Sequence, residues 1–219
     1  MFPANWRSWI NMKFILFVEG KTEDKSLPTF LKRWLDARLE HRVGIQTVKF
    51  KGWSELIKGA PTKARMYLNG PKQEEIIAII GLLDLYGPTI YPLEKKTAME
   101  RYLWAKSFIE EYVDEPKYHQ FFCVHEVEAW LLSNPDVFPD AIKNAFPGKI
   151  AQPETVNFNE PPKKLIQRLY KDKMKRTYKE ATLGKEFFNK LDPALPYGKC
   201  PSLKLLLDSM LKMAKEAGL

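Results

Sequence analysis

Short apolar runs alternate along the first half of the chain with longer stretches in which apolar residues recur every three or four positions. The runs predict four strands, at Lys13–Val18, Ile45–Phe50, Ile76–Leu83 and Gln120–Val124. The longer stretches predict three helices: one after Val18 that runs to about Glu40, one at Ser54–Leu68 interrupted around Gly59 and Pro61, and one at Thr97–Tyr112. This order predicts an α/β fold, with a mostly parallel sheet flanked by helices and right-handed crossovers.

The pattern changes beyond Pro135, where prolines divide the chain into short segments and strand-like runs are absent. Helices are predicted at Pro162–Lys173, Glu180–Leu191 and Ser202–Ala217. We therefore expect an α/β core over residues 1–134 and a helical, basic C-terminal part over residues 135–219, packed on that core.

Three of the predicted strands are followed by an acid: Glu19, Asp84 and Glu126. The carboxyl ends of parallel strands converge on one edge of a sheet, which is where ligands bind in open α/β folds. Carboxylates gathered there repel one another, so they either raise their pKa values or recruit a hard cation such as Mg²⁺ or Mn²⁺. The alternative is that each acid caps the helix after its strand.

Four neighbouring residues are further candidates for this site. Glu23 and Glu128 are possible metal ligands, although a helix beginning near Glu128 is expected to turn it away from Glu126. Lys21 is either a phosphate-binding point charge or a solvated turn residue. His125 either assists a proton transfer or phosphate contact, or is a structural residue at a strand–helix junction.

Together these segments resemble the TOPRIM superfamily. The resemblance rests on Phe-Val-Glu19-Gly-Lys-Thr-Glu23, Leu-Leu-Asp84-Leu-Tyr86-Gly and His125-Glu126-Val-Glu128-Ala-Trp-Leu-Leu-Ser. Within the superfamily, the chain is similar to a family of unknown function near the RloB-like and OLD-nuclease-like branch. Its second part carries the likeness further through Pro153-Glu154-Thr-Val-Asn157, Pro161-Pro-Lys-Lys-Leu165 and Lys199-Cys-Pro201.

The resemblance implies a nuclease. Glu19 would act in general acid/base work and Asp84 would hold Mg²⁺, but Tyr86 stands where the usual Asp-x-Asp motif has its second aspartate. A two-metal arrangement would then need a ligand from Glu126 or Glu128. The resemblance also implies an effector of anti-phage or mobile-element defence, often paired with an AAA or ABC-type ATPase.

A concentrated basic segment, Lys163 to Lys179, holds eight basic residues and one acid, which accounts for +7 of the formal net charge of +8. It predicts a nucleic-acid contact, DNA or RNA, with a solvated helix face as the alternative. The candidate contacts are Lys163, Lys164, Arg168, Lys171, Lys173, Lys175 and Arg176.

Composition bears on the location of the protein and on zinc binding. The chain has no apolar stretch long enough to cross a membrane and no signal-peptide pattern, so we expect a cytoplasmic protein. Two distant cysteines and three histidines give no zinc spacing. Trp6, Trp9 and Ile10 either fold back onto the core or contact a partner.

Three functions are compatible with the sequence. The first is a metal-dependent nuclease, and the second is a catalytically incomplete binding subunit of an ATPase complex. The third, a primase-like nucleotidyl transferase, lacks a glycine-rich loop in the sequence.

Overall fold

The computed structural model describes residues 11–148, 150–155 and 160–219. Trp6, Trp9 and Ile10, and Asn157 of the second part, lie outside these residues. In the described part of the chain, no helix is long and apolar enough to cross a membrane.

The sheet has four strands, all parallel: β1 (Lys13–Val18), β2 (Gly44–Lys49), β3 (Ile76–Asp84) and β4 (Tyr118–Cys123). Their order across the sheet is β2-β1-β3-β4. The fold class predicted from the sequence is confirmed, and so is the central position of the strand that is apolar on both faces, β3. The last residue of β3, Asp84, pairs in register with Cys123 of β4, so the ends of these two strands lie side by side.

The helices follow in chain order. Those between the strands are α1 (Lys21–Asp36), α2 (Trp53–Leu68) and α3 (Ala98–Val113). After β4 come α4 (Glu128–Leu131), α5 (Asp140–Lys143), α6 (Pro162–Met174), a π-helical turn (Glu180–Gly184), α7 (Lys185–Lys190), α8 (Ala194–Lys199) and α9 (Pro201–Glu216). Short 3₁₀ turns lie at Gln73–Glu75 and Pro135–Val137.

Side chains of β1 alternate between two hydrophobic cores, as the two-residue period of a strand requires. Phe14, Leu16 and Val18 pack on one face with α1 and the helices of the C-terminal half. Ile15 and Phe17 pack on the other face with α2 and α3. The sheet is therefore covered on both sides, as all-parallel sheets are, and its C-terminal edge is held between the two layers.

Three helices differ from the sequence prediction. α1 ends at Asp36, before the expected end near Glu40. α2 runs unbroken through Gly59 and Pro61, because a proline removes only one helical hydrogen bond and tertiary packing can outweigh that loss. Packing explains why a glycine stands at position 59, because a Cβ there would lie 3.0 Å from the Phe50 ring. The predicted helix over Glu180–Leu191 is a π-helical turn followed by α7.

Arg33 of α1 ties the first half of the chain to the second. Its guanidinium donates to the backbone oxygens of Phe188 (2.5 Å), Leu191 (2.8 Å) and Asn189 (3.1 Å) at the end of α7, where helical carbonyls lack partners. Burial lowers the pKa of Arg33, and the negative charge of Asp192 offsets only part of that decrease.

We expect Arg33→Met to lower the free energy of unfolding by about 2 kcal/mol, because it leaves three carbonyls without their charged donor. Urea titration measures this change. Arg42→Met, at an exposed position between α1 and β2, is the control and should change stability little. An Arg33→Met protein as stable as the wild type would contradict the role assigned to this contact.

Candidate metal centre

Glu19 and Asp84 meet at the C-terminal edge of the sheet. Glu19 follows β1 directly, Asp84 ends the neighbouring β3, and Glu19 Oε1 accepts a hydrogen bond from the Asp84 backbone nitrogen at 3.3 Å. The convergence expected from parallel strand ends is thus present for this pair. Burial raises the pKa of Glu19, while backbone hydrogen bonds from Asp84 and Trp53 offset part of that rise.

Glu23 folds back over the start of α1. It is buried, and Gly20 is what makes room for it, because a Cβ at Gly20 would lie 2.0 Å from Glu23 Oε2. Burial raises the pKa of Glu23 to about 7, and the neighbouring charge of Glu19 adds to the rise. The Glu19-Gly20 sequence therefore places two acids, one helical turn apart, on the same side of the strand end.

Glu126 and Glu128 enter the site from the turn after β4. α4 does begin at Glu128, as the sequence suggests, but it does not separate the two acids from the site, because both carboxylates lie near enough to raise the pKa of Asp84. Glu128 is 2% exposed and its Oε1 has no hydrogen-bond partner. Burial, followed by the charge of Glu23, raises its pKa to about 8.

Asp84 lies at the electrostatic centre of this group. Its pKa is raised well above the ordinary value, first by burial and then by four neighbouring carboxylates. These neighbours, in decreasing order of effect, are Glu23, Glu19, Glu128 and Glu126. We call these five acids the acidic edge.

The acidic edge matches a hard divalent cation in the kind of ligand it offers. Its candidate ligands are all carboxylate oxygens, which suit Mg²⁺ or Mn²⁺, and Glu128 Oε1 is a buried acceptor without a donor. Burial also raises the pKa of the adjacent Cys123 thiol, so it offers no thiolate. Within the described residues, no three acid, histidine or cysteine side chains already surround one point at metal-binding distances.

Lys163 supplies positive charge to the acidic edge from the start of α6. Its Nζ lies 2.8 Å from Glu180 Oε2, and its backbone nitrogen donates to Glu126 Oε2 at 2.9 Å. Burial lowers the pKa of Lys163, but the Glu180 hydrogen bond and the charges of Glu128 and Glu126 outweigh it, so the net shift is upward. Lys163 is therefore held as a cation among the carboxylates.

A cavity of about 470 Å³ opens onto the acidic edge. The residues that line it are Asp84, Tyr86, Gly87, His125, Glu126, Glu160 and Pro161. Tyr86 and His125 stack with ring centroids 5.0 Å apart and planes 14° apart. His125 has φ 68°, a left-handed conformation that costs a non-glycine residue about 1–3 kcal/mol and is found preferentially at functional sites.

The other residues that the sequence predicts for the site are His125, Lys21 and the members of the basic segment. Burial lowers the pKa of His125, which favours a neutral ring. Lys21 is exposed at the first position of α1. Of the basic segment, Arg168 pairs with Glu160 (2.5 Å) and Asp172 (3.8 Å). Lys164, Lys171, Lys173, Lys175 and Arg176 lie along or just after α6.

Sequence reasoning missed three acids that the fold uses. Glu180 pairs with Lys163, and Glu160 pairs with Arg168 in the wall of the cavity. Glu154 is buried and accepts two hydrogen bonds from Ser202 at the start of α9. The donors are the Ser202 backbone nitrogen, at 2.8 Å, and the Ser202 hydroxyl. The signal for Glu154 was its place in the Pro153-Glu154-Thr-Val-Asn157 segment that carries the resemblance, whereas the pairings of Glu160 and Glu180 have no local pattern.

A family match covers most of the chain. The family described as "Domain of unknown function (DUF4276)" matches residues 18–211, which include all five acids of the acidic edge and the whole of α6. The chain belongs to this family.

Comparison with other proteins adds distant similarities. No curated protein matches the chain. The chain is similar to the C-terminal region of the Xanthomonas campestris pv. campestris OLD protein, with 16% identity, TM-score 0.47, and 93% of this chain and 94% of that chain covered. It is also similar to the C-terminal region of the Burkholderia pseudomallei OLD protein, with 20% identity, TM-score 0.43, and coverage of 90% and 97%.

Proposed function

We propose that the chain is a TOPRIM-type nuclease that uses Mg²⁺ or Mn²⁺ at the acidic edge to hydrolyse phosphodiester bonds. The observation that supports this most is the convergence of five carboxyls at the C-terminal edge of the sheet, two of them buried and one of these, Glu128, with an unpartnered oxygen. Burying several like charges is costly unless a cation joins them. Lys163 offsets part of this charge, and a bound divalent cation would offset the rest, which supports the proposal.

Each residue has a distinct role in this proposal. Asp84, with Glu126 and Glu128, would hold the cation, which when bound polarises a scissile phosphate and lowers the pKa of a bound water. Glu19 is the proton-handling group, because its raised pKa brings it closer to neutral pH, where a general acid or base works best. Lys163 limits the negative charge that an approaching phosphate meets.

The test of the proposed function is metal-dependent cleavage by the purified protein. With MnCl₂, the wild type should cleave a nucleic-acid substrate, and Glu19→Gln should lose activity by about 100-fold or more, because an amide cannot exchange the proton. Glu111→Gln, an exposed substitution on α3, is the matched control and should stay active. A fully active Glu19→Gln protein would remove Glu19 from the mechanism.

The basic segment is proposed to hold the phosphate backbone of the substrate. Replacing Lys171, Lys173, Lys175 and Arg176 by glutamine should weaken binding of all sequences alike. It should also flatten the dependence of log affinity on log salt by about 0.7–0.9 for each phosphate that is no longer neutralised. Fluorescence anisotropy at several salt concentrations measures both effects. An unchanged slope would leave the segment as a solvated face.

The wider setting follows from the sequence resemblance and stays a proposal. A place in the RloB-like and OLD-nuclease-like branch of TOPRIM proteins would make this chain a cytoplasmic effector of anti-phage or mobile-element defence, with an AAA or ABC-type ATPase as partner. Co-purification with an ATPase encoded beside it would support that setting.

A second candidate function is favoured by one substitution in the motif. Tyr86 occupies the place of the second motif aspartate and is exposed, so the edge has one carboxylate fewer than the usual motif supplies. The chain would then be a non-catalytic nucleic-acid-binding or partner-binding subunit. Nucleic-acid binding without cleavage under any divalent metal, alone or with the ATPase, would favour this candidate.

A further inference from the structure

The stacked rings of Tyr86 and His125 form a flat aromatic surface at the mouth of the cavity beside the acidic edge. Tyr86 is 51% exposed, and both residues line the same cavity as Asp84 and Glu126. The face of Tyr86 that is not covered by His125 is thus available beside the carboxylates. Neither ring has a role in holding the proposed cation.

The chain holds Tyr86 in this position firmly. Leu85, just before it, is fully buried, and its backbone nitrogen donates to the Cys123 oxygen at 2.8 Å, which extends the pairing of β3 with β4. Gly87, just after it, donates to the Asp84 oxygen at 3.3 Å and closes a tight turn. Tyr86 is therefore directed outward from a fixed turn, only two residues from Asp84.

His125 supports the ring from the neighbouring strand end. It follows β4 by two residues, and its left-handed backbone is the conformation in which its ring lies parallel to that of Tyr86. Backbone strain of this kind persists where the surrounding structure holds it, and it clusters at functional sites. The pair is thus a built feature of the cavity mouth.

We propose that the Tyr86–His125 pair is a stacking platform for an unpaired nucleobase, so that the substrate is single-stranded nucleic acid or an unpaired nucleotide within a duplex. An exposed aromatic face binds any base through its π-face, but a base inside a duplex has both faces covered by its neighbours. One residue, Leu85, separates Tyr86 from Asp84 in the chain, so a base stacked on Tyr86 would lie next to the phosphate at the acidic edge. The position of the phosphate at the acidic edge rests on the proposed function. Stacking of the base on Tyr86 does not, because it needs no metal.

The experiment measures binding separately from cleavage. Fluorescence anisotropy at low salt follows three labelled probes of equal length: oligothymidylate, an abasic strand with the same backbone, and a blunt duplex. It is run in EDTA and, on a Glu19→Gln background, in MnCl₂. An oligouridylate arm separates RNA from DNA as the source of the base.

Tyr86→Ala should weaken oligothymidylate binding by about tenfold and leave the abasic strand and the duplex unchanged, since one base stack is removed. Tyr86→Trp should retain binding, because its ring also stacks. Tyr112→Ala is the matched control, since Tyr112 is also 51% exposed but lies on α3, outside the cavity lining; it should bind all probes as the wild type does.

Three outcomes would overturn the proposal: a wild type that binds the abasic strand as well as oligothymidylate, a Tyr86→Ala protein that binds oligothymidylate normally, or an equal loss for all probes. The same experiments distinguish failure of the stacking platform from failure of the proposed nuclease function. A protein that shows base-dependent binding through Tyr86 but never cleaves would keep the platform and remove the nuclease, whereas cleavage without any effect of Tyr86→Ala would do the reverse.

Discussion

Raising the pH from about 6.5 to about 8 is expected to lower the melting temperature of the metal-free protein, and MnCl₂ is expected to restore it. Burial raises the pKa of Glu23 from 4.5 to about 7 and that of Glu128 from 4.5 to about 8. Because these folded-state values lie above the unfolded ones, their stabilising effect is complete only at low pH, and it is lost as the pH rises through the folded-state values.

The size of this effect follows from proton linkage. One group that is protonated only in the folded state changes stability by about 1.4 kcal/mol per pH unit, so the two glutamates together should cost about 2–3 kcal/mol over this range. For a chain of this length that is about 5–10 °C. The lowered pKa values of His119 and His125 act in the opposite direction, but mainly at more acid pH.

Thermal melts in EDTA across this pH range provide the measurement. Glu128→Gln should flatten the pH dependence, because the neutral amide removes one of the two titrating groups, while Glu111→Gln on the exposed face of α3 should not. A melting temperature that does not fall between these pH values, or that falls equally in Glu128→Gln, would show that the acidic edge does not strain the metal-free fold.

Asp84→Asn is expected to make the metal-free protein more stable and to abolish its stabilisation by Mn²⁺. Burial first, and then four neighbouring carboxylates, disfavour the charged form of Asp84 and raise its pKa, and an amide of the same shape carries no charge. The gain should appear as a higher melting temperature in EDTA at pH 8, where the charged form of Asp84 is most populated. The same change removes the carboxylate on which the proposed cation site is centred.

Melts with and without MnCl₂ separate the two effects of Asp84→Asn. The control is Asp114→Asn, at the exposed end of α3, where the backbone is left-handed (φ 52°) and asparagine is well tolerated. It should leave both the basal melting temperature and the Mn²⁺ response unchanged. An Asp84→Asn protein that is still stabilised by Mn²⁺ as strongly as the wild type would place the cation elsewhere.

Local patterns in the sequence were sufficient to predict the sheet and the first pair of site residues. A strand that is apolar on both faces must lie inside a covered sheet, and β3 does. The acids at the ends of β1 and β3 must then converge, and Glu19 accepts a hydrogen bond from the backbone nitrogen of Asp84. Both conclusions depend only on strand periodicity and on the geometry of parallel strands.

The rest of the site depends on contacts between distant segments, which leave no periodic signal. The basic segment predicts one surface, yet its first member, Lys163, is directed into the acidic edge because α6 begins against Glu126. In the same way, the stacking of Tyr86 on His125 requires the ends of β3 and β4 to be adjacent. No spacing within either segment could indicate these pairs.

The central claim is that the acidic edge holds a divalent cation. Crystals soaked in MnCl₂, with anomalous diffraction data collected near the manganese absorption edge, test it most directly. We predict an anomalous peak at the acidic edge, in contact with Asp84 and at least one of the glutamates, and absent from Asp84→Asn crystals treated alike. Well-diffracting crystals with no peak at this edge, or with manganese bound only elsewhere, would contradict the claim.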